Sequence, residues 1–163
     1  MIVMTVNGLI QGCLPVMSFN FGAGNPMRLK QAFRIGTGLA SGMMLLGTVL
    51  VSAFPKQILK LFRASENMFS FGVPALHIMS AGFVFNGIST MIATYMQAIG
   101  RVRCSIAINL LRQLVILVPM KGLLSRFLGL TGIWLAVPVT EILTVLTATV
   151  LYRKAREPLA CPV

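Results

Sequence analysis

The sequence predicts an all-α, polytopic membrane helix bundle of about five transmembrane helices. Three observations carry that expectation. Of 163 residues, 56% are hydrophobic and only 10% are charged, whereas a soluble domain carries about 25% charge. Mean hydropathy is +0.87. The apolar residues come in long blocks almost free of charge, and the basic residues stand at the ends of those blocks: Arg28, Lys30 and Arg34; Lys56, Lys60 and Arg63; Arg101 and Arg103; Lys121 and Arg126; Arg153, Lys154 and Arg156. Lipid cannot satisfy backbone donors and acceptors, so the spanning element is a helix.

Five spans follow in order, at about residues 1–20, 36–54, 70–99, 104–120 and 130–151. Covering about 30 Å of hydrocarbon takes about 20 residues, so the fourth is short and the third is long enough to tilt or kink. Loops after the first, third and fifth spans carry eight Lys and Arg, and the loops after the second and fourth carry five. The richer set is expected on the cytoplasmic side, with the C-terminus (a tail over 152–163) inside and the N-terminus outside. No basic n-region precedes the first apolar run, so a signal peptide is not indicated and a preceding helix is expected.

Between the first two spans stands Gly22-Ala23-Gly24-Asn25-Pro26. A dinucleotide-binding loop needs GxGxxG after a strand, but the sixth position here is Met27. The stretch instead reads as a helix end with Gly22 and Gly24 left-handed, and Asn25-Pro26 opening the next helix. Residues 55–63 (PKQILKLFR) put Lys56, Lys60 and Arg63 on one side and Ile58, Leu59 and Phe62 on another. That is the pattern of a short interfacial helix, the alternative being an ordinary loop. Ser65 before Glu66 reads as the N-cap of the next helix.

Each span carries polar residues at helical spacing. The first has Asn7, Gln11 and Ser18. The second has Thr37, Ser41, Thr48 and Ser52 beside a Gly38/Gly42 GxxxG. The third has Asn86, Thr90, Thr94 and Gln97, the fourth Ser105, Asn109, Arg112 and Gln113, and the fifth Thr140, Glu141, Thr144 and Thr147. In the second span the small and hydroxyl residues read as helix–helix packing. For Asn86 with Gln97, and Asn109 with Arg112, a hydrated cavity and packing both remain open. Arg112 and Glu141 lie at similar depth, roughly 12–14 Å from the cytoplasmic end at 1.5 Å per residue. A charge at mid-membrane costs at least about 2.5–3.5 kcal/mol, so such residues pair or line a pathway. A fold-locking ion pair without a transport role is the competing reading.

His77 reads as an interfacial or packing histidine, Trp134 and Tyr152 as aromatic-belt residues, and the eleven methionines as core filler. Basic residues on both sides of the inferred membrane argue against nucleic acid as a partner. Cys13, Cys104 and Cys161 are odd in number and form no CxxC, so neither a disulfide framework nor a zinc site is indicated. No nucleophile–base pair or metal-ligand cluster is visible, so neither an enzyme nor a resident cofactor is expected, and no metal site is assigned.

GLIQGCLPVMSFNFGAGNPMRLKQAFRIG (8–36) resembles the G-x-x-Q-G-x-x-P…N-x-G-A-x-N segment of multidrug and toxic compound extrusion (MATE) transporters. YMQAIGRVRCS, LLRQLVILVP and GLTGIWLAVPVTE resemble that family's later helices, in the same order. The resemblance covers nearly the whole chain and is closest to the bacterial drug-export branch. It implies a twelve-helix antiporter with two six-helix lobes alternating around a central cavity, of which residues 1–163 supply the last five helices. It further implies H⁺ or Na⁺ as coupling ion, small-molecule drugs or organic cations as cargo, membrane lipid as surroundings, and the bacterial inner membrane as location. A first lobe would have to be supplied as partner, and the chain is expected to be inactive alone. The family's coupling acids lie in the segments outside this chain or in the third span, which here has no Asp or Glu. Glu141 is thus the intramembrane acid, and the pathway candidates are Arg112, Glu141, Asn109, Asn86, Gln97 and Gln11. The other readings are a non-transporting fragment or assembly partner, and a lipid-linked-sugar flippase of the related superfamily.

Overall fold

The computed structural model describes residues 2–61 and 66–156, and among these every element is helical. The order is α1 (Ile2–Gly22), α2 (Pro26–Ala53), α3 (Pro55–Leu61), α4 (Glu66–Ser80), α5 (Phe83–Ala98), α6 (Val102–Leu110), a π-helical segment Leu111–Leu117, and α7 (Val118–Arg156). Ser65, Arg63, Phe62 and Cys161 lie outside the described residues.

α5 is the axis of the bundle. It packs against α1, α2, α6 and α7, and its stretch 91–96 is buried on every side. Such burial requires a helix that is apolar or small all round, and Met91, Ile92, Ala93 and Met96 supply it. The core closes with Val6, Ile10 and Met17 from α1, Ala40 and Met44 from α2, and Ile108 from α6. Four of the methionines, Met17, Met44, Met91 and Met96, are fully buried.

The glycine-rich stretch is a turn, but only Gly24 is left-handed (φ 65°); Gly22 remains the last residue of α1. Pro26 opens α2 with its ring pre-set for the first helical turn. α2 therefore starts ten residues before the expected second span, and Arg28, Lys30 and Arg34 ride on the helix rather than in a loop. Its buried face runs through Gly36, Ala40, Met44, Gly47 and Val51. Gly38 and Gly42 stand about 200° away from Gly36 and Ala40, and a β-carbon on either would touch nothing. The expected GxxxG contact is thus displaced to Gly87 of α5, where a β-carbon would come 3.2 Å from Met44 and 3.6 Å from the Ala40 carbonyl. The hydroxyl packing expected of α2 is present: Thr48 Oγ1 donates to the Ser80 carbonyl at 3.0 Å, and the Ser52 and Ser80 hydroxyls meet at 3.3 Å.

α3 is amphipathic, with Lys56 and Lys60 exposed and Ile58 and Leu59 half-buried. Leu59 packs where Gly72 of α4 leaves room. The expected third span is two helices, Phe71–Ser80 and Phe83–Ala98 bent by 42°, with the break at Ala81-Gly82.

The loop expected after residue 120 is helical instead. The run 118–128 stays helical through Pro119, in the first turn of α7, and Gly122, until Gly129, whose φ 57°, ψ −133° interrupts α7. The chain reverses there. Arg112 and Glu141 are 29 residues apart, about 43 Å along a straight helix, yet their side chains are 3.3 Å apart. The reversal is tight enough that a β-carbon on Gly132 would overlap the Leu124 carbonyl.

Two helical stretches, Pro26–Ala53 and Val102–Arg153, are long and apolar enough to cross a membrane, and the bent pair makes a third if read as one span. Because Val102–Arg153 folds back at Gly129, the described residues form five helical columns: α1, α2, α4–α5, 102–128 and 130–156. Tyr152, expected in an interfacial belt, turns inward. It stacks on Phe33 (centroids 5.4 Å apart) and meets Tyr95 edge-on (5.2 Å), tying 130–156 to α2 and α5.

Candidate functional site

The charged cluster forms where three helical columns meet. Arg112 is the second residue of the π segment, and its Nε lies 3.3 Å from Glu141 Oε1 on the returning arm. Asn86 of α5 donates its Nδ2 to the same oxygen at 2.9 Å. Arg112 Nη1 reaches Thr90 Oγ1 at 3.4 Å, and Thr90 donates in turn to the Asn86 carbonyl at 2.8 Å. Residues 86 and 90 are one helical turn apart, so a single face of α5 holds both ends of the pair.

Burial is unequal. The Glu141 side chain is 8% exposed and that of Arg112 is 20% exposed. Glu141 Oε1 has two partners, whereas Oε2 is buried with no partner at full hydrogen-bond geometry, although the Ser89 hydroxyl also lies close enough to act on the carboxylate. The cluster borders a cavity of about 230 Å³ that Gln113 and Thr140 also line. Gly82 permits the close approach, since a β-carbon there would come 3.1 Å from Pro138 and 3.5 Å from Glu141 Cγ. Glu141 lines that cavity, and its buried second oxygen leaves the neutralised pair with acceptor capacity to spare.

Three of the six expected pathway residues, Arg112, Glu141 and Asn86, are thus brought together. The other three are not. Gln97 and Gln11 are exposed away from the cluster, and Asn109 returns its amide to the Ser105 carbonyl on its own helix at 3.1 Å. The threonine stripes are also largely self-satisfied. Thr140, Thr144 and Thr94 bond the carbonyls four residues before them, at 2.6, 2.7 and 2.9 Å. Thr90 and Gly82 are the contributions not assigned a site role from the sequence. Thr90 was visible as the residue one turn after Asn86, but nothing local marks Gly82 as the place where two helices touch. A second, larger groove of about 550 Å³ runs between α1 and α2, lined by Val16, Phe19, Ile35 and Leu39 with Arg28 at its rim. It contains none of the six. Among the described residues no three His, Cys, Asp or Glu gather as metal ligands.

The MatE family model matches residues 1–122, three-quarters of the chain. The chain belongs to the MatE family. Its relatives include an FAD transporter of Shewanella oneidensis, 26% identical over 96% of this chain and 35% of the relative. The multidrug export protein MepA of Staphylococcus aureus is 23% identical over 96% of this chain and 34% of the relative. The solved MATE multidrug transporter DinF-BH superposes with a TM-score of 0.88 at 25% identity, covering 99% of this chain and 36% of that one. This MatE chain therefore spans about a third of the length of the curated relatives it matches. It is a partial MATE transporter with an all-α membrane bundle, in a family of transporters rather than enzymes.

Proposed function

We propose that the chain is the C-terminal portion of a secondary antiporter that exports drugs or organic cations in exchange for H⁺ or Na⁺, with Arg112, Glu141 and Asn86 bordering its pathway. The observation that carries this reading is the placement of a buried Arg–Glu pair, on MatE-family helices, with acceptor capacity to spare on its carboxylate beside a cavity. The relatives' names, an FAD transporter and a multidrug export protein, support a small-molecule cargo. Because the bundle corresponds to about a third of those proteins, the transport cavity needs a partner lobe. Residues 1–163 then form part of one six-helix lobe. The test is ethidium accumulation in an efflux-deficient bacterium. The chain alone is expected to leave accumulation unchanged, and co-expression with a separately encoded segment comprising the first lobe and the seventh helix to lower it. Export by the chain alone at the level of a full-length transporter would overturn the need for a partner.

The reading places the chain in a bacterial plasma membrane with its C-terminus inside, supported by the excess of basic residues at the ends where the first column meets the second, the third meets the fourth, and the fifth finishes. Cys104 and Cys161 are then cytoplasmic. A membrane-impermeant thiol reagent applied to intact cells should leave both unlabelled and label them after permeabilisation. Labelling of Cys161 in intact cells would reverse the orientation.

A further inference from the structure

The helix that carries Arg112 is not a regular α-helix at that point. Leu111–Leu117 is π-helical, and α-geometry resumes at Val118. Short π segments inside α-helices concentrate at functional sites. This one has a local cause in the sequence. Pro119, one residue past Val118, has no N–H to give the Val115 carbonyl, and in α-geometry its ring would crowd that carbonyl. A wider ladder just before the proline relieves the crowding. Pro119 is itself exposed, so its influence on the site passes through the backbone and not through packing.

The register has a direct electrostatic consequence. An α-helix turns about 100° and rises 1.5 Å per residue. If 111–117 closed into α-geometry while Val118 onward held its place, the preceding residues would advance by about one position. Arg112 would rotate by about 100°, away from Glu141 Oε1 and Thr90. Asn86 and the Ser89 hydroxyl, both fixed on α5, would remain beside the carboxylate as uncharged donors.

We propose that the π segment Leu111–Leu117, held open by Pro119, is a register switch for the site: in the π register Arg112 neutralises Glu141, and in the α register Glu141 lines the cavity without its counter-charge. Pro119 is then a positioning residue. The inference rests on the reading of the Arg112–Glu141 cluster given above.

The experiment is a pair of double-mutant cycles on the 163-residue chain in detergent micelles, read as thermal midpoints by far-UV circular dichroism. One cycle combines Arg112→Gln and Glu141→Gln in the native background, and the other repeats it with Pro119→Ala, which restores the missing donor. In the native background the double variant should lose less than the sum of the singles by roughly 3–10 °C, the shift that coupling between contacting residues gives in a domain this size. With Pro119→Ala the losses should become additive. Coupling that persists undiminished in Pro119→Ala overturns the switch and leaves the pair intact. Additive losses in both backgrounds overturn the pair, and with it the reading on which the switch rests. Pro119→Ser, which also restores the N–H, replaces the alanine variant if that one is not recovered as a folded species.

Discussion

Arg112→Gln is expected to destabilise the bundle by about 3–5 kcal/mol, the cost of stranding one member of a buried ion pair. The size follows from where the remaining charge sits. The Glu141 side chain is 8% exposed, and only the uncharged Asn86 amide on Oε1 and the Ser89 hydroxyl would be left beside it. Glu141→Gln should cost less, about 1–3 kcal/mol. Arg112 is 20% exposed, keeps Thr90, and carries a long stem that can move its charge toward a polar boundary. The double change should be milder than the sum, because neither charge is then stranded. Folded yield in membranes and thermal midpoints measure this directly. Equal losses for the two single variants would contradict the unequal burial, and strictly additive ones would contradict the pair. In a full-length context, normal membrane expression with lost export in Glu141→Gln would assign the carboxylate to transport and not to folding.

Gly132→Ala is the second large effect, about 3 kcal/mol or more, at the upper end of what overpacking costs. The added carbon would overlap the Leu124 carbonyl, which is backbone and cannot swing aside as a side chain does. Gly38→Ala is the matched control on a helix of similar character. Its β-carbon meets nothing within 4 Å, and the substitution should be neutral or stabilise by up to about 1 kcal/mol. Thermal midpoints of the two variants should diverge by roughly 6 °C or more. Coincident midpoints would mean that the reversal after Gly129 is not closed by the Leu124–Gly132 contact.

The sequence was most informative about depth and least informative about rotation. Apolar blocks bounded by basic residues marked where helix would run, because block length and the rise per residue are both local quantities, but not its ends: α2 starts at Pro26, and the helix after Val102 continues past residue 120. The same rise put Arg112 and Glu141 at one level, and they meet. Rotation depends on which neighbour packs on which flank. That is why Gln97, one position past the buried stretch 91–96, is exposed. It is also why Gly38 and Gly42 lie on the open side of α2, while Gly36 and Gly87 take the contacts. The threonine stripes could not be separated from cavity lining by spacing, since a hydroxyl bonded to its own helix and one facing water occupy the same positions. A kink in the third span was legible from its length, but the position of that break, and the π segment, were not, for another reason. The 42° bend at Ala81-Gly82 and the π segment ahead of Pro119 are settled by tertiary approach and by a missing donor, neither of which alters hydrophobic periodicity.

The reversal at Gly129 also bears on how the protein is made. Arg112 and Glu141 belong to consecutive arms of one hairpin, with only that hairpin's own residues between them. Each charge entering the bilayer on a separate helix would oppose insertion by about 2.5–3.5 kcal/mol. Leaving the translocon as a joined pair of arms, they can neutralise one another before any other helix arrives. Biogenesis of this pair is then local. A change that delays the turn, such as a helix-favouring residue at Gly129, would expose both charges to lipid during synthesis, even where the finished bundle could hold them.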